Sequence, residues 1–272
     1  MAPDPSGFGQ GRGGVSLDFA GLRPGLIALA REAATEILRI YARDFDVRAK
    51  ADRTPVTEAD ERAEAIILAG LAKLAPGVAA VAEEAVARGA VEWPAVPPRE
   101  FFLVDPLDGT REFVERSDNF AVNIGLVVDG RPVLGVVLHP VSGVAWSGGT
   151  GLGAIRTEKN GTENPIRARG KPADGMVVVT SKSHSSGAES AYCDGMAVKE
   201  HRKVGSAAKF GLVAEGTADL YPRLGPTSEW DTAAGEALLV ASGGHVEKLD
   251  GTPLVYGKQG FRNPDFVARG AW

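Results

Sequence analysis

The stretch Phe101-Phe102-Leu103-Val104-Asp105-Pro106-Leu107-Asp108-Gly109-Thr110 limits what this chain can fold into more than any other. An unbroken apolar run delivers two acids three residues apart. Pro106 stiffens the backbone between them, and Gly109 permits a sharp turn after them. A strand feeding such a turn leaves both carboxylates at its carboxyl end, pointing into one space. Two carboxylates that close repel, and one takes up a proton unless a cation sits between them. All-oxygen sites suit Mg²⁺, which keeps waters and borrows oxygens from a substrate phosphate. Thr110 would add a hydroxyl beside the metal. The plainer alternative is an Asx-type turn in which Asp108 caps the backbone and Asp105 is solvated.

The bulk of the chain narrows the setting. Its 272 residues, 44% hydrophobic and 24% charged, can build one large domain or two smaller ones. The single cysteine, Cys193, cannot form an internal disulfide. With no signal peptide, that favours a cytoplasmic protein. No apolar run is long enough to span a bilayer. Peripheral association with the inner face of the cell membrane stays open. A net charge of −5 argues against a nucleic-acid polymer as partner, because phosphate backbones need clustered Lys and Arg. It does not exclude one small anionic substrate.

Residues 1–15, rich in Gly and Pro, read as a disordered tail. Leu26, Ala30, Ala33, Ile37 and Tyr41 recur at helical spacing and predict a helix over 24–43. Asp52 to Pro55 reads as a loop. A second helix is expected from Thr57 to Leu74, stopped by Pro76-Gly77. Ala79 to Ala82 reads as a short buried strand, and residues 85–100 as a surface loop. Strands are expected at 120–128, 131–139 and 144–147, with Asp129-Gly130 as a hairpin turn and 148–153 as a Gly-rich connection. Beyond residue 161 the pattern predicts strands at 176–180, 197–204 and 218–221. Helices are predicted at 186–193, 206–215 and 232–242. Mixed helices and strands in both halves predict a layered α/β architecture. An N-terminal part, 16–160, would carry most of the acids, and a C-terminal part, 161–272, the cations and the last acid.

Four places carry acids in suggestive settings. Glu83 and Glu84 follow a buried strand, as do Asp105 and Asp108. Asp231 precedes a small-residue helix, and Asp60 lies in the first turn of the second helix. Each has a modest alternative: Asp60 as part of a capping box with Thr57, Asp231 as an N-cap, Glu83-Glu84 as a solvated strand end. Strand ends and helix starts are also where open α/β proteins build sites, and four acidic ends fit one shared metal cluster. Among the cations, Lys209 near a helix start suits an anion. Arg223 could grip a phosphate bidentately, and His184 sits in a strand-to-helix turn.

Glu83-Glu84, Asp105-Pro-Leu-Asp-Gly-Thr110 and Trp230-Asp-Thr-Ala-Ala-Gly235 together resemble the signature of the inositol monophosphatase-like, lithium-sensitive Mg²⁺ phosphatases. Asp52-Arg-Thr-Pro-Val-Thr-Glu-Ala-Asp60 resembles their upstream motif. Val104 to Phe113, Ser181 to His184 and Val204 to Arg223 are similar to the CysQ-type branch, the 3′(2′),5′-bisphosphate nucleotidases. The likeness runs from about residue 24 to the C-terminus. It implies a layered α-β-α-β-α sandwich holding two or three Mg²⁺ ions and inhibited by Li⁺. Glu83, Asp105, Asp108, Asp231 and the Leu107 carbonyl would be the ligands. Asp60 and Thr110 would activate the attacking water, with Glu83 assisting. Glu83, Leu107, Asp108, Gly109, Thr110 and Asp231 would also touch substrate, and His184, Ser206, Lys209 and Arg223 would hold the nucleotide.

The implied reaction is hydrolysis of 3′-phosphoadenosine 5′-phosphate to AMP and phosphate, extending to 3′-phosphoadenylyl sulfate, in sulfur assimilation by a monomer or homodimer. Inositol monophosphatase or fructose 1,6-bisphosphatase activity is the alternative on the same metal site. Two departures stand out: Ala82 where Ser is frequent before the two Glu, and Ala207 where a second Ser is usual. Neither removes a ligand. Arg223 discriminates better. Inositol phosphatases carry an acid there, and exchanging acid for cation reverses which ligand the pocket favours.

Overall fold

The protein was analysed as a computed structural model that describes residues 17–182 and 187–272. The expected N-terminal tail, residues 1–15, and His184 lie outside the described residues. The chain opens with α1 (Phe19–Tyr41), the hairpin β1 (Val47–Ala49) and β2 (Pro55–Thr57), then α2 (Glu58–Leu74). Next come β3 (Ala79–Ala82), α3 (Glu83–Ala87), β4 (Glu100–Asp108) and α4 (Thr110–Val114). A meander follows: β5 (Ala121–Val128), β6 (Arg131–His139), β7 (Val144–Gly149), β8 (Gly153–Thr157) and β9 (Glu163–Ile166). The remainder holds β10 (Met176–Ser181), α5 (Ala188–Tyr192), β11 (Val198–Val204), α6 (Ala208–Ala214), β12 (Leu220–Arg223), β13 (Thr227–Ser228), α7 (Ala233–Ala241), β14 (His245–Lys248), β15 (Arg262–Asn263) and β16 (Phe266–Arg269).

Two sheets organise these elements. β3 to β9 form a seven-stranded sheet in chain order, antiparallel except for the parallel pair β3 and β4. The second sheet runs β11-β10-β12-β16-β14. The apolar run of β4 reads out its burial on both faces. Phe102 and Val104 join the core made with α1 and α2, while Phe101 and Leu103 join the core made with α6 and α7. Strand β10 alternates likewise: Val177 and Val179 face the α6/α7 core, and Met176 and Val178 meet Cys193 at the end of α5. Helix pair, sheet, helix pair, sheet and helix stack into an α-β-α-β-α sandwich.

Helix α7 lies on the large sheet with almost nothing between. Gly125, Gly135 and Gly148 are cross-strand neighbours on β5, β6 and β7. A Cβ on Gly125 would come within 2.8 Å of the Ala234 nitrogen, and one on Gly135 within 2.2 Å of the Ala234 oxygen. One on Gly148 would come within 2.9 Å of the Leu238 Cα. Backbone therefore packs on backbone, and the N-terminus of α7 is held at a fixed height above the sheet.

Several boundaries differ from the sequence expectation. α1 begins at Phe19 because Asp18 caps it, accepting from the Gly21 amide at 3.1 Å. Asp52 to Pro55 is the tip of a hairpin and not only a loop. α3 claims the start of the 85–100 loop, because buried Glu64 caps its amides. Part of the Gly-rich connection is strand: β7 runs to Gly149. β12 starts two residues later than expected, placing Arg223 inside it. No helix among the described residues is long and apolar enough to cross a membrane.

Candidate active site

Strand ends and helix starts converge on one cleft of about 520 Å³. β4 brings Asp105 and Asp108, with its pairing to β5 broken between them. Gly109 then turns the chain with φ +97°, a conformation that favours glycine. β3, the parallel neighbour of β4, ends at Ala82, so Glu83 opens α3 at the same edge. Asp231 comes from a 3-10 turn, Glu229–Asp231, ahead of α7. One carboxylate oxygen from each of Glu83, Asp105 and Asp231 lies within 4.8 Å of the others. That is a hard, all-oxygen donor set of the kind a divalent cation takes. Asp108 stands beside them, but its Oδ2 accepts from the Ala207 amide at 2.5 Å and from the buried Asn123 amide group at 3.2 Å. Leu107 also lines the cleft, and its carbonyl accepts from the Thr110 hydroxyl at 3.2 Å.

Asp231 is not the N-cap of α7. Its Oδ2 accepts from the Ser228 amide at 2.7 Å, closing a capping box on the 3-10 turn, and Thr232 takes the position before the helix. The kink between the two helices turns the carboxylate into the cleft. The Asp60 capping box does form, with both the Thr57 amide and hydroxyl on Oδ2 at 2.8 Å. Its other oxygen, Oδ1, accepts from the Thr110 hydroxyl at 2.8 Å. The two sequence readings of Asp60 describe its two oxygens.

The electrostatics are those of crowded acids. Burial, then the charges of Glu83, Asp108 and Asp231, hold the Asp105 carboxyl well above its ordinary value. Asp231 is pushed up to about 8, chiefly by burial and next by Asp108 and Glu83. Burial raises Asp108 too, against the pull of Lys209 and the Ala207 amide. Such a cluster binds protons at neutral pH or exchanges them for a cation. One cation is built in. Lys50 Nζ lies 2.6 Å from both Glu83 and Glu84. Burial would lower its pKa, but the two carboxylates outweigh that and raise it. Asp60 sits at about 6, raised by burial and opposed by its bonds from Thr57 and Thr110.

The sequence-predicted cations divide. Arg223 is buried in the cleft wall; one terminal nitrogen donates to the Pro226 carbonyl at 3.0 Å, and its Nε has no partner. Lys209 lines the cleft, but its ammonium turns back to the carbonyls of Ser206 at 2.5 Å and Val204 at 3.2 Å and over the Tyr221 ring. Its seat is a bent entry into α6, because Ser206 holds φ +53°. Burial lowers its pKa to about 8. Ser206 lines the cleft, and Asp60 stands behind Thr110.

Sequence reasoning missed four groups. Lys50 comes in on a hairpin whose strands are three residues long, too short for a periodic signal. Glu64 accepts from the amides of Glu84 and Ala85 at 2.8 and 3.2 Å, fixing the turn that presents Glu83. Its spacing of four from Asp60 on α2 was a readable signal. Asn123 and Arg262 gave none.

The chain matches the Inositol monophosphatase family over residues 20–268 and belongs to that family. Within it, the chain is 42% identical to the 3′(2′),5′-bisphosphate nucleotidase CysQ of Escherichia coli (strain K12), over 88% of this chain and 95% of that protein. It is 32% identical to CysQ of Haemophilus influenzae, over 90% and 91%. Among solved structures it is similar to CysQ from Bacteroides thetaiotaomicron, with a TM-score of 0.77 and 33% identity over 94% of this chain and all of that one. It is also similar to an inositol monophosphatase from Anabaena, with a TM-score of 0.74 and 26% identity over 94% and 93%.

Proposed function

We propose that this chain is a Mg²⁺-dependent 3′(2′),5′-bisphosphate nucleotidase that hydrolyses 3′-phosphoadenosine 5′-phosphate to AMP and phosphate. One observation carries the substrate choice: a buried guanidinium, Arg223, without a carboxylate partner among the described residues, lines the same cleft as the acid cluster. A monophosphate held at the acids leaves such a cation idle, whereas a second phosphate pairs with it. The 42% identity to a nucleotidase over most of both chains supports the reading.

Glu83, Asp105 and Asp231, with Asp108 and the Leu107 carbonyl beside them, would hold the metal. When bound, Mg²⁺ supplies Lewis-acid polarisation of the scissile phosphate and of the attacking water. The remaining work falls to the chain. Thr110 has one hydroxyl hydrogen, which it gives to Asp60, so its lone pairs accept a hydrogen from a water. Asp60, near pH 6, is a carboxylate at neutral pH and takes the proton relayed through Thr110. The water oxygen bonds phosphorus as its proton passes through Thr110 to Asp60, the P–O3′ bond breaks, and the ribose oxygen takes its proton from solvent, to which Asp60 later returns the one it received. Phosphoryl transfer of this kind needs positioning and charge neutralisation and no covalent nucleophile.

The test is phosphate release with Mg²⁺ from 3′-phosphoadenosine 5′-phosphate, inositol 1-phosphate and fructose 1,6-bisphosphate side by side, with and without Li⁺. Preference for the nucleotide, lost with Li⁺ or chelator, is expected. Preference for inositol 1-phosphate would keep the acids as a metal site and overturn the role of Arg223. No release from any of the three would move the chain to a binding role.

A further inference from the structure

Arg262 lines the same cleft as Arg223. Its backbone is placed with unusual care. Phe261, just before it, holds φ +53°, which a residue other than glycine seldom adopts. Packing keeps it there: Phe261 is buried between Trp93 and Trp230, with ring centres 5.1 and 5.7 Å away. Asn263, just after it, donates to the Ser228 carbonyl at 2.8 Å and the Thr232 hydroxyl at 2.9 Å. Strained backbone persists where the surroundings over-determine it, and such places concentrate at functional sites.

Yet the side chain so placed has little to do. Arg262 is exposed, touches the Ser228 hydroxyl at 3.3 Å, and forms no close ion pair among the described residues, although its charge helps to lower the pKa of Asp52. Four other exposed arginines, Arg39, Arg43, Arg48 and Arg62, each pair with a glutamate, whereas Arg53, Arg111 and Arg167 share with Arg262 an exposed side chain without an ion pair among the described residues. Asp52, the carboxylate on the cleft rim, is occupied by Thr54, whose hydroxyl lies 2.6 Å from it. Arg223 and Arg262 rest on one extended segment, at Pro226 and Ser228. Two residues of strand span roughly 7 Å, which a phosphate with a hydrogen bond on either side bridges.

We propose that Arg223 and Arg262 grip the substrate's second, non-scissile phosphate together, Arg223 from inside the cleft and Arg262 from its mouth. The inference rests on the bisphosphate reading. A phosphate dianion offers three outer oxygens, more than one planar fork can fill. The chemical class is thus a nucleotide bearing two separate phosphates.

The experiment compares kcat/KM for 3′-phosphoadenosine 5′-phosphate and for adenosine 3′-monophosphate in wild type, Arg262→Ala, Arg262→Lys, Arg223→Ala and the double alanine variant. Arg262→Ala should cut the preference for the bisphosphate about tenfold, near the value of one charge-assisted hydrogen bond, and Arg262→Lys should restore part of it. The double variant should lose less than the product of the two single losses, because the groups share one ligand. Melting of Arg262→Ala should match wild type. A wild type that prefers the bisphosphate, with Arg262→Ala preferring it equally, would overturn this inference alone. A wild type with no preference would overturn the substrate reading and the inference with it.

Discussion

Thr110 gives its hydroxyl hydrogen to Asp60 across 2.8 Å, joining the starts of α4 and α2, fifty residues apart in the chain. In the proposed mechanism the pair would supply a hydrogen-bond acceptor at the cleft and a base behind it. Thr110→Ala and Asp60→Asn should each lower kcat by about 10²- to 10⁴-fold, the range of one positioned proton-transfer group, with KM changed far less. In wild type, kcat should fall as pH drops through about 6, where Asp60 takes up a proton. Steady-state phosphate release against pH checks this, and an acid limb unchanged in Asp60→Asn would assign the limb elsewhere.

Glu64 controls Glu83 without touching the cleft. Removing its carboxylate strands two amides and leaves Arg88 without its partner. Glu64→Ala should cost about 2 kcal/mol, the penalty of an unsatisfied buried polar group. It should also raise the Mg²⁺ concentration needed for half-maximal activity. Denaturant unfolding and a Mg²⁺ titration read the two effects, and Glu64→Gln, which keeps an acceptor, should recover much of both.

The crowded acids link metal and protons. Without metal, folded Asp231 holds its proton up to about pH 8, and Asp105 also sits far above its ordinary value. Both would ionise near pH 4 in the unfolded chain. Raised pKa values contribute stability that is full at low pH and is lost as pH climbs through the folded value. Chelated protein should therefore melt at progressively lower temperature between pH 5 and about 8. Added Mg²⁺ should raise Tm most at the alkaline end. Calorimetric titration at pH 7 in buffers of different ionisation enthalpy should show proton release on Mg²⁺ binding.

Arg223→Ala should lower the preference for the bisphosphate over a monophosphate by about ten- to a hundredfold, the cost of a lost charged hydrogen bond. Equal losses on both substrates would argue against its contact with the second phosphate.

The glycine seat of α7 gives a prediction about stability. Gly135→Ala drives a methyl into the Ala234 carbonyl. It should destabilise the fold by about 1–3 kcal/mol, as overpacking does. Because α7 carries the turn that presents Asp231, Mg²⁺ affinity should fall with it. Unchanged affinity in a destabilised variant would show that the turn is held by Glu229 and Asn263 alone.

Much of this was legible in the chain. Phe101 to Val104 announced a strand buried on both sides, because no polar residue interrupts it, and Thr57 to Leu74 announced a helix by caps and period. The seat of α7 was not. Gly148 and Gly149 read as a connection, since nothing local tells a glycine that turns the chain from one that admits a helix backbone. The closing strands β14 and β16 are four residues long and carry charges, so they give no clear alternation. The acids were readable because chemistry needs several of them at element ends. Lys50 and Arg262 were not, because only the folded chain brings them to the cleft.

The three clustered donors come from residues 83, 105 and 231. A growing chain therefore offers two of them long before the third leaves the ribosome. Until Asp231 has emerged and α7 has settled on its three glycines, the nascent protein has no complete claim on a divalent ion. In the proposed reading, metal loading would thereby be deferred to the end of synthesis, and a half-made chain would not compete for divalent ions as a finished one does.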